Sequence, residues 1–509
     1  MNNFSQEMVD GIAEHIPPWF GDTCANRPGL ATLSRSWQSA IERQTFRSIK
    51  IQARDLEDFC TIFARCKRRR GLLRQLYLNI TFPQYDDDHF FNFENAEDRA
   101  EGDSVFSRHV SILLQELSQW PIWGRLSLHI ELDSFQDFRF RHRYLYSQIR
   151  LGGALAFAIP HITIPHITSF CTSNVIRCVA PGSQVALTST FPNLKRIDWC
   201  FNDPLRFPAL RRQLFQELTS AVDSFQPQPA SKTLCININR QQSYPHNERL
   251  PSFKSNGNSL CGSICALLAR SKIENFDYVG PIDPTLFWPS KTSKTSEPRP
   301  WSSLQRLDVD FQSGSLQGQW FFKGLPDDPD YDENTEVPLP QDETGLLAPG
   351  YNDNDEMDEE ARMVADFEPV DSTVNNAQGH NFRCVLRDEA ILPLLKAVAR
   401  RIAHTRFLQK VNIRSELLAG GMPWFFSYHA PGQGSVWDDQ VDREGSGCNN
   451  PLSRARVFIV TSDDWRPDGE VMALLRWIGM AHDGKDTIIT FLPFLPSKAD
   501  SLASCATTL

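Results

Sequence analysis

The sequence predicts an α/β protein in which short half-buried strands alternate with amphipathic helices. Two patterns and the chain length carry that expectation. Six stretches open on Leu, Phe or Trp and then alternate apolar with polar positions: residues 73–80, 123–130, 191–199, 301–311, 407–413 and, more weakly, 234–238. A period of two puts one row of side chains in a core and the other row outside it, as a strand with one buried face requires. Between several of these stretches the apolar residues fall three and four apart. They are Val105, Val110, Leu113, Leu114 and Leu117, and later Leu214, Leu218 and Val222. That spacing lines one face of a helix. At 509 residues the chain exceeds what one hydrophobic core holds, so about three domains are expected.

In chain order, residues 4–12 form a short amphipathic helix whose stripe runs through Met8, Ile12 and Ile16. Ser5 is placed to cap it, its hydroxyl taking a free backbone N–H of the first turn. Leu30, Leu33, Trp37 and Ile41 mark a second helical stretch, Phe46 and Ile49 close it, and Ile51 opens the first strand. Residues 56–70 read as a helix ending in the basic run Arg65-Cys66-Lys67-Arg68-Arg69-Arg70. Helices over 104–118 and 210–225 then sit among the first strands. Further on, Ile391, Leu394, Leu395, Val398 and Ile402 share one face of a helix over 387–405. Strands over 407–413, 423–430 and 456–462, a helix near 468–482 and a last strand near 486–492 complete a C-terminal α/β unit. The expected boundaries are 1–50 for a helical domain, 51–324 for a strand–helix region, 325–380 for an acidic insert and 381–509 for the C-terminal unit.

The net charge of −10 is not spread over the chain. Residues 325–368 hold 16 Asp or Glu against Arg362 alone, a local balance of −15 that leaves the remainder at +5. The folded part is therefore near neutral, and the acidity belongs to one insert. That insert is acidic, carries several Pro and Gly, and has few large apolar residues, so it is expected to be disordered. No run of 18 or more apolar residues exists, so no membrane span and no membrane partner are expected. The opening residues lack a basic n-region and an apolar h-region, so the expected location is intracellular, cytoplasmic or nuclear. The 12 cysteines form no CxxC pair and read as reduced thiols.

The LxxLxL openings of the predicted strands resemble leucine-rich repeats, in which each repeat donates one short parallel strand to a curved sheet. The gaps between them exceed the 20–29 residues of regular repeats, so the resemblance implies an irregular, divergent leucine-rich-repeat-like α/β solenoid. The N-terminal block resembles an F-box, the adaptor-binding motif of substrate receptors in cullin-based ubiquitin ligases. Phe4-Ser5 stands where the motif carries Leu-Pro, Glu7-Met8 matches its acidic–apolar pair, and Leu30, Leu33 and Trp37 match its later apolar positions. The stretch from Leu30 to Ile51 resembles the opening of a large fungal family of F-box-like proteins. The resemblance implies a substrate receptor that binds a Skp-type adaptor and, through it, the cullin ligase core. Met8, Ile12, Leu30, Leu33 and Trp37 are the expected adaptor face, apolar anchors of a helix-in-groove contact. The protein target is expected on the repeat-like or C-terminal region.

Other motifs read plainly. The basic run 65–70 suits the end of a helix, where cations complement the helix dipole, and also suits a nuclear address or a phosphate contact. The alternation Phe138-Arg139-Phe140-Arg141-His142-Arg143-Tyr144 is better explained by a two-faced strand than by nucleic acid, so no nucleic-acid partner is expected. Ile159-Pro160-His161-Ile162-Thr163 repeats at once as Ile164-Pro165-His166-Ile167-Thr168. His161 and His166 fall on opposite faces of an extended chain, which argues against a shared metal. No GxSxG elbow, P-loop or HExxH motif is present, so no enzyme activity and no cofactor are expected. A non-catalytic scaffold, with the N-terminal helices as a structural cap, is the alternative. A hydrolase-type site around Trp424, Tyr428, His429, Trp437, Asp438 and Asp439 is the more distant one.

Overall fold

The computed structural model describes residues 5–15, 27–82, 95–121, 124–133, 148–152, 161–173, 177–204, 208–239, 259–289, 298–324, 385–415, 424–438, 451–461 and 465–493. The expectations for the insert over 325–380, the stretch 138–144, Ile16 and Asp439 fall outside them. The fold is α/β, in two compact units, Met1–Cys200 and Phe201–Leu509.

The first unit opens with three helices, α1 (Gln6–Glu14), α2 (Arg27–Ala31) and α3 (Arg35–Thr45). Strand β1 (Ser48–Gln52) follows, then α4 (Leu56–Arg65), α5 (Lys67–Arg70) and β2 (Gln75–Thr81). Helix α6 (Ala96–Ser118) leads to β3 (Leu126–Asp133). Next come β4 (Gln148–Ile149), β5 (Ile167–Ser173), β6 (Cys178–Val179), α7 (Pro181–Ser189) and β7 (Arg196–Asn202). The sheet order is β1-β2-β3-β5-β7, and the described pairings in it are parallel.

A sheet whose spatial order follows chain order, with right-handed crossovers, carries every connection on one face. Burial agrees: Leu76, Leu78 and Ile80 of β2 and Leu126, Leu128 and Ile130 of β3 are buried, as are Phe106, Val110, Leu113, Leu114 and Leu117 of α6. In the opposite row Tyr77, His129 and Glu131 are only half-buried, while Asn79 is buried. Helix α6 starts eight residues earlier than the apolar stripe predicts. Asn95 closes a capping box there, accepting from the N–H groups of Glu97 and Asp98 while Asp98 accepts from the Asn95 N–H.

In the second unit α8 (Pro208–Ser224) precedes β8 (Thr233–Asn239), α9 (Leu260–Arg270), β9 (Asn275–Gly280) and β10 (Arg306–Phe311). A two-residue ladder, β11 (Phe322–Lys323) with β12 (Val385–Leu386), stands before α10 (Asp388–His404). The unit ends with β13 (Lys410–Ser415), β14 (Trp424–His429), β15 (Arg456–Thr461), α11 (Gly469–Asp483) and β16 (Ile488–Pro493). The order is β8-β9-β10-β13-β14-β15-β16. It is a mixed sheet: β8, β9, β10 and β13 are parallel, β14 is antiparallel to both neighbours, and β15 and β16 are parallel.

The six stretches predicted from alternation all fall on strands. The wide gaps between them contain strands that the sequence reading missed: β5 and β9 of the main ladders, and the two-residue strands β4, β6, β11 and β12. Residues 56–70 form two helices rather than one, broken at Cys66. Every described cysteine is a free thiol.

Two features of the second unit lead to predictions. Gly479 of α11 lies under the chain that enters β16: a Cβ there would collide with the Lys485 carbonyl oxygen and sit 2.9 Å from the Thr487 nitrogen. Gly479→Ala is expected to cost about 2–3 kcal/mol by overpacking, read as a drop in the denaturant midpoint. The ladder between β11 and β12 pairs Lys323 with Val385, so the described residues that flank the acidic insert lie side by side. Replacing residues 325–384 by a four-residue turn is expected to keep the unit folded. Each halving of a loop returns about 0.6 kcal/mol, a gain of about 2 kcal/mol here, and loss of cooperative unfolding would contradict it.

Candidate interaction surface

The N-terminal helices are held by caps and by a small core. The Ser5 hydroxyl accepts from the Met8 N–H at 3.3 Å, as the sequence predicts, and Ser34 does the same for the Trp37 N–H at 3.3 Å. Val9 and Ala13 of α1 pack on Ala40 and Ile41 of α3, with Leu30, Ala31 and Trp37 half-buried around them. The Gln6 amide donates to the Ser36 carbonyl at 3.2 Å, and Arg43 pairs with Asp10.

This core divides the five expected adaptor residues. Met8, Ile12 and Leu33 stay outside it, 52%, 44% and 52% exposed. Leu30 and Trp37 lean inward and stabilise the cluster. Met8 and Ile12 are four apart on α1, one above the other on the same face. Large apolar side chains held in water at that spacing are costly unless something covers them. Burying the exposed half of each is worth about 1 kcal/mol.

The basic run beside these helices is largely paired. Glu42 of α3 receives Arg68 at 3.3 Å and Arg69 at 3.0 Å, and the Arg69 guanidinium lies 4.7 Å over the Phe46 ring. Arg70 donates to the Phe63 carbonyl at 2.9 Å and reaches Glu116 at 3.4 Å. The run thus fastens α3 and α6 to the start of the sheet. Its partners lie too far away in sequence for the run itself to show them.

The sheet faces without helices carry polar rows. In the first unit Tyr77 stacks on His129 at 4.4 Å, Ser127 bonds the same imidazole at 2.9 Å, and Lys50 pairs with Glu131. Burial holds the His129 pKa below its ordinary value. In the second unit one chain of bonds crosses three strands. The His429 Nε2–H donates to Ser427, the Ser427 hydroxyl donates to the Asn412 carbonyl oxygen at 2.9 Å, and the Asn412 amide donates to Asp308 at 2.6 Å. Arg306 also pairs with Asp308, and Arg414 with Asp310 at 3.0 Å.

The aromatic group near 424–438 lies mostly inside. Trp424, Tyr428, His429 and Trp437 are buried, with Trp437 packed on Phe458, Val460 and Leu492. Asp438 holds the buried Arg456 at 2.9 Å. Burial lowers the His429 pKa to about 4, so its ring is neutral at pH 7. The Ser427 hydroxyl donates its hydrogen bond to the Asn412 carbonyl oxygen, so His429 faces Ser427 as donor rather than base.

Compared with family models, curated proteins and solved structures, the chain gave no match. Among the described residues no helix is long and apolar enough to cross a membrane.

Proposed function

We propose that this chain is the substrate-recognition subunit of a Skp-cullin-F-box type ubiquitin ligase. Its N-terminal helices dock a Skp-type adaptor, and a polar sheet face receives the protein target. The observation that carries the reading is the outward set Met8 and Ile12 on the capped helix α1 and Leu33 in the turn that leads into the capped helix α3. An F-box-like reading of residues 1–50 needs apolar anchors on that face. Parallel strands laid down in chain order support an irregular leucine-rich-repeat-like solenoid, continued by the C-terminal α/β unit. Such a receptor does no chemistry. It contributes proximity, raising the effective concentration of a target lysine at the charged ubiquitin-conjugating enzyme.

The scaffold alternative draws on a separate observation. Leu30 and Trp37 pack inward, and Arg68 and Arg69 tie Glu42 to the sheet, which a purely structural cap also requires. Self-ubiquitination separates the two. With adaptor, cullin, RING subunit and conjugating enzyme present, the receptor reading predicts that the chain itself becomes modified. A folded chain that stays unmodified beside an active core favours the scaffold.

A further inference from the structure

The main strands of the first unit all begin on one rim of the sheet, because the described pairings among them are parallel. Backbone bonds tie the strand entries together. The Arg74 and Gln75 N–H groups donate to the Arg47 carbonyl, Ser127 to Arg74, Leu126 to His166 and Lys195 to Thr168. The residue immediately ahead of four of these five strands is a cation: Arg47 before β1, Arg74 before β2, Arg125 before β3 and Lys195 before β7. All four are exposed.

Nothing at the rim neutralises them. Arg47, Arg125 and Lys195 make no ion pair or side-chain hydrogen bond among the described residues. Arg74 Nη1 donates to the Gly71 and Leu73 carbonyls, each at 2.9 Å, which fixes the guanidinium without cancelling its charge. That guanidinium lies against Gly124, where a Cβ would stand 3.1 Å from Nη1 and φ is +141°, so glycine lets it settle beside Arg125. The described turns into these strands, residues 46–47, 71–74, 124–125, 161–166 and 190–195, contain no Asp or Glu. Glu42 and Glu116, on α3 and α6, are already held by Arg68 and Arg69 and by Arg70. In a chain of net charge −10, an uncompensated row of cations is not a by-product of composition.

We propose that this strand-entry rim is a docking surface for an acidic peptide segment of a partner protein, whose carboxylates pair with Arg47, Arg74, Arg125 and Lys195. Dimensions support the match. Neighbouring strands stand about 4.8 Å apart, so β1 to β7 spans about 19 Å, which an extended chain covers with about six residues. Three of the four cations are arginines, whose planar fork suits carboxylates. Nucleic acid fits less well, because Trp120 and Phe191 are buried and the Arg69 guanidinium covers Phe46, leaving no open aromatic face here for a base to stack on. The rim uses none of the expected adaptor residues and does not rest on the ligase reading.

Fluorescence anisotropy of a labelled hexaglutamate peptide, titrated with the intact chain at low and constant ionic strength, tests the rim. Saturable binding is expected, weakened about tenfold or more in the Arg47→Glu, Arg125→Glu chain. Both side chains are exposed and unpaired, so the double variant stays folded, with circular dichroism as the check. The Arg54→Glu, Arg108→Glu chain changes the net charge equally at exposed positions off the rim and is expected to bind as the unaltered chain does. The absence of saturable binding overturns the proposal, as does an equal loss in both double variants, which would mark a response to net charge alone. Tighter binding of a single-stranded oligonucleotide carrying the same number of charges would also overturn it, in favour of nucleic acid.

Discussion

Replacing Asp203 by alanine is expected to cost the second unit about 3–5 kcal/mol, a large share of the 5–15 kcal/mol that holds a domain folded. Asp203 and Arg211 are fully and almost fully buried, and they meet through two bonds, Nε–Oδ1 at 2.7 Å and Nη2–Oδ2 at 2.9 Å. The Arg211 guanidinium also lies 5.3 Å from the Phe215 ring. Removing the carboxylate takes a doubly bonded counter-charge away from a buried guanidinium. The cost is therefore set by a buried charge losing its carboxylate, not by one contact. The double change Asp203→Leu, Arg211→Met removes both charges and is expected to restore most of the loss. Urea unfolding of the single and double variants measures both. A double variant as unstable as the single one would show that packing, rather than the stranded charge, sets the cost.

Placing aspartate at Met8 and Leu33 is expected to weaken adaptor binding about a thousandfold while leaving the chain folded. Both side chains are about half exposed, so the substitutions disturb little of the core formed by Val9, Ala13, Ala40 and Ile41. Each loses about 1 kcal/mol of the apolar burial still available on docking and sets a carboxylate against an apolar groove at a cost of about 1 kcal/mol or more, and together about 4 kcal/mol is close to three decades of affinity. Leu30→Asp serves poorly here, because Leu30 supports the helical core and its loss confuses unfolding with lost binding. Titration of the adaptor against both chains, with circular dichroism as the folding control, gives the comparison. An affinity unchanged by the two aspartates would remove this face from the contact.

Much of the architecture was legible because one face of each strand is buried. Alternation as regular as Leu307, Val309 and Phe311 marks a strand without further context. β5 escaped because Ile-Thr-Ser-Phe-Cys-Thr-Ser buries Ile167 and Phe170 out of strict alternation, and its pairing with β3 shifts register between Leu126 and Ser127. β9 escaped because Asn275-Phe276-Asp277-Tyr278 lacks the Leu that opens the other strands. The early turns of α6 were missed because a capping box, not an apolar stripe, starts that helix. At the N-terminal surface the helical period shows that Met8 and Ile12 share a face, but not which face is covered. Trp37 and Leu30 turn inward because the α1–α3 packing leaves room there, a tertiary fact with no local signature.

The central claim is that the N-terminal helices bind a Skp-type adaptor, and co-purification of the intact chain with that adaptor tests it most directly. The account predicts a stable stoichiometric complex through size-exclusion chromatography, lost in the folded Met8→Asp, Leu33→Asp chain. A folded intact chain that elutes free of the adaptor would contradict it.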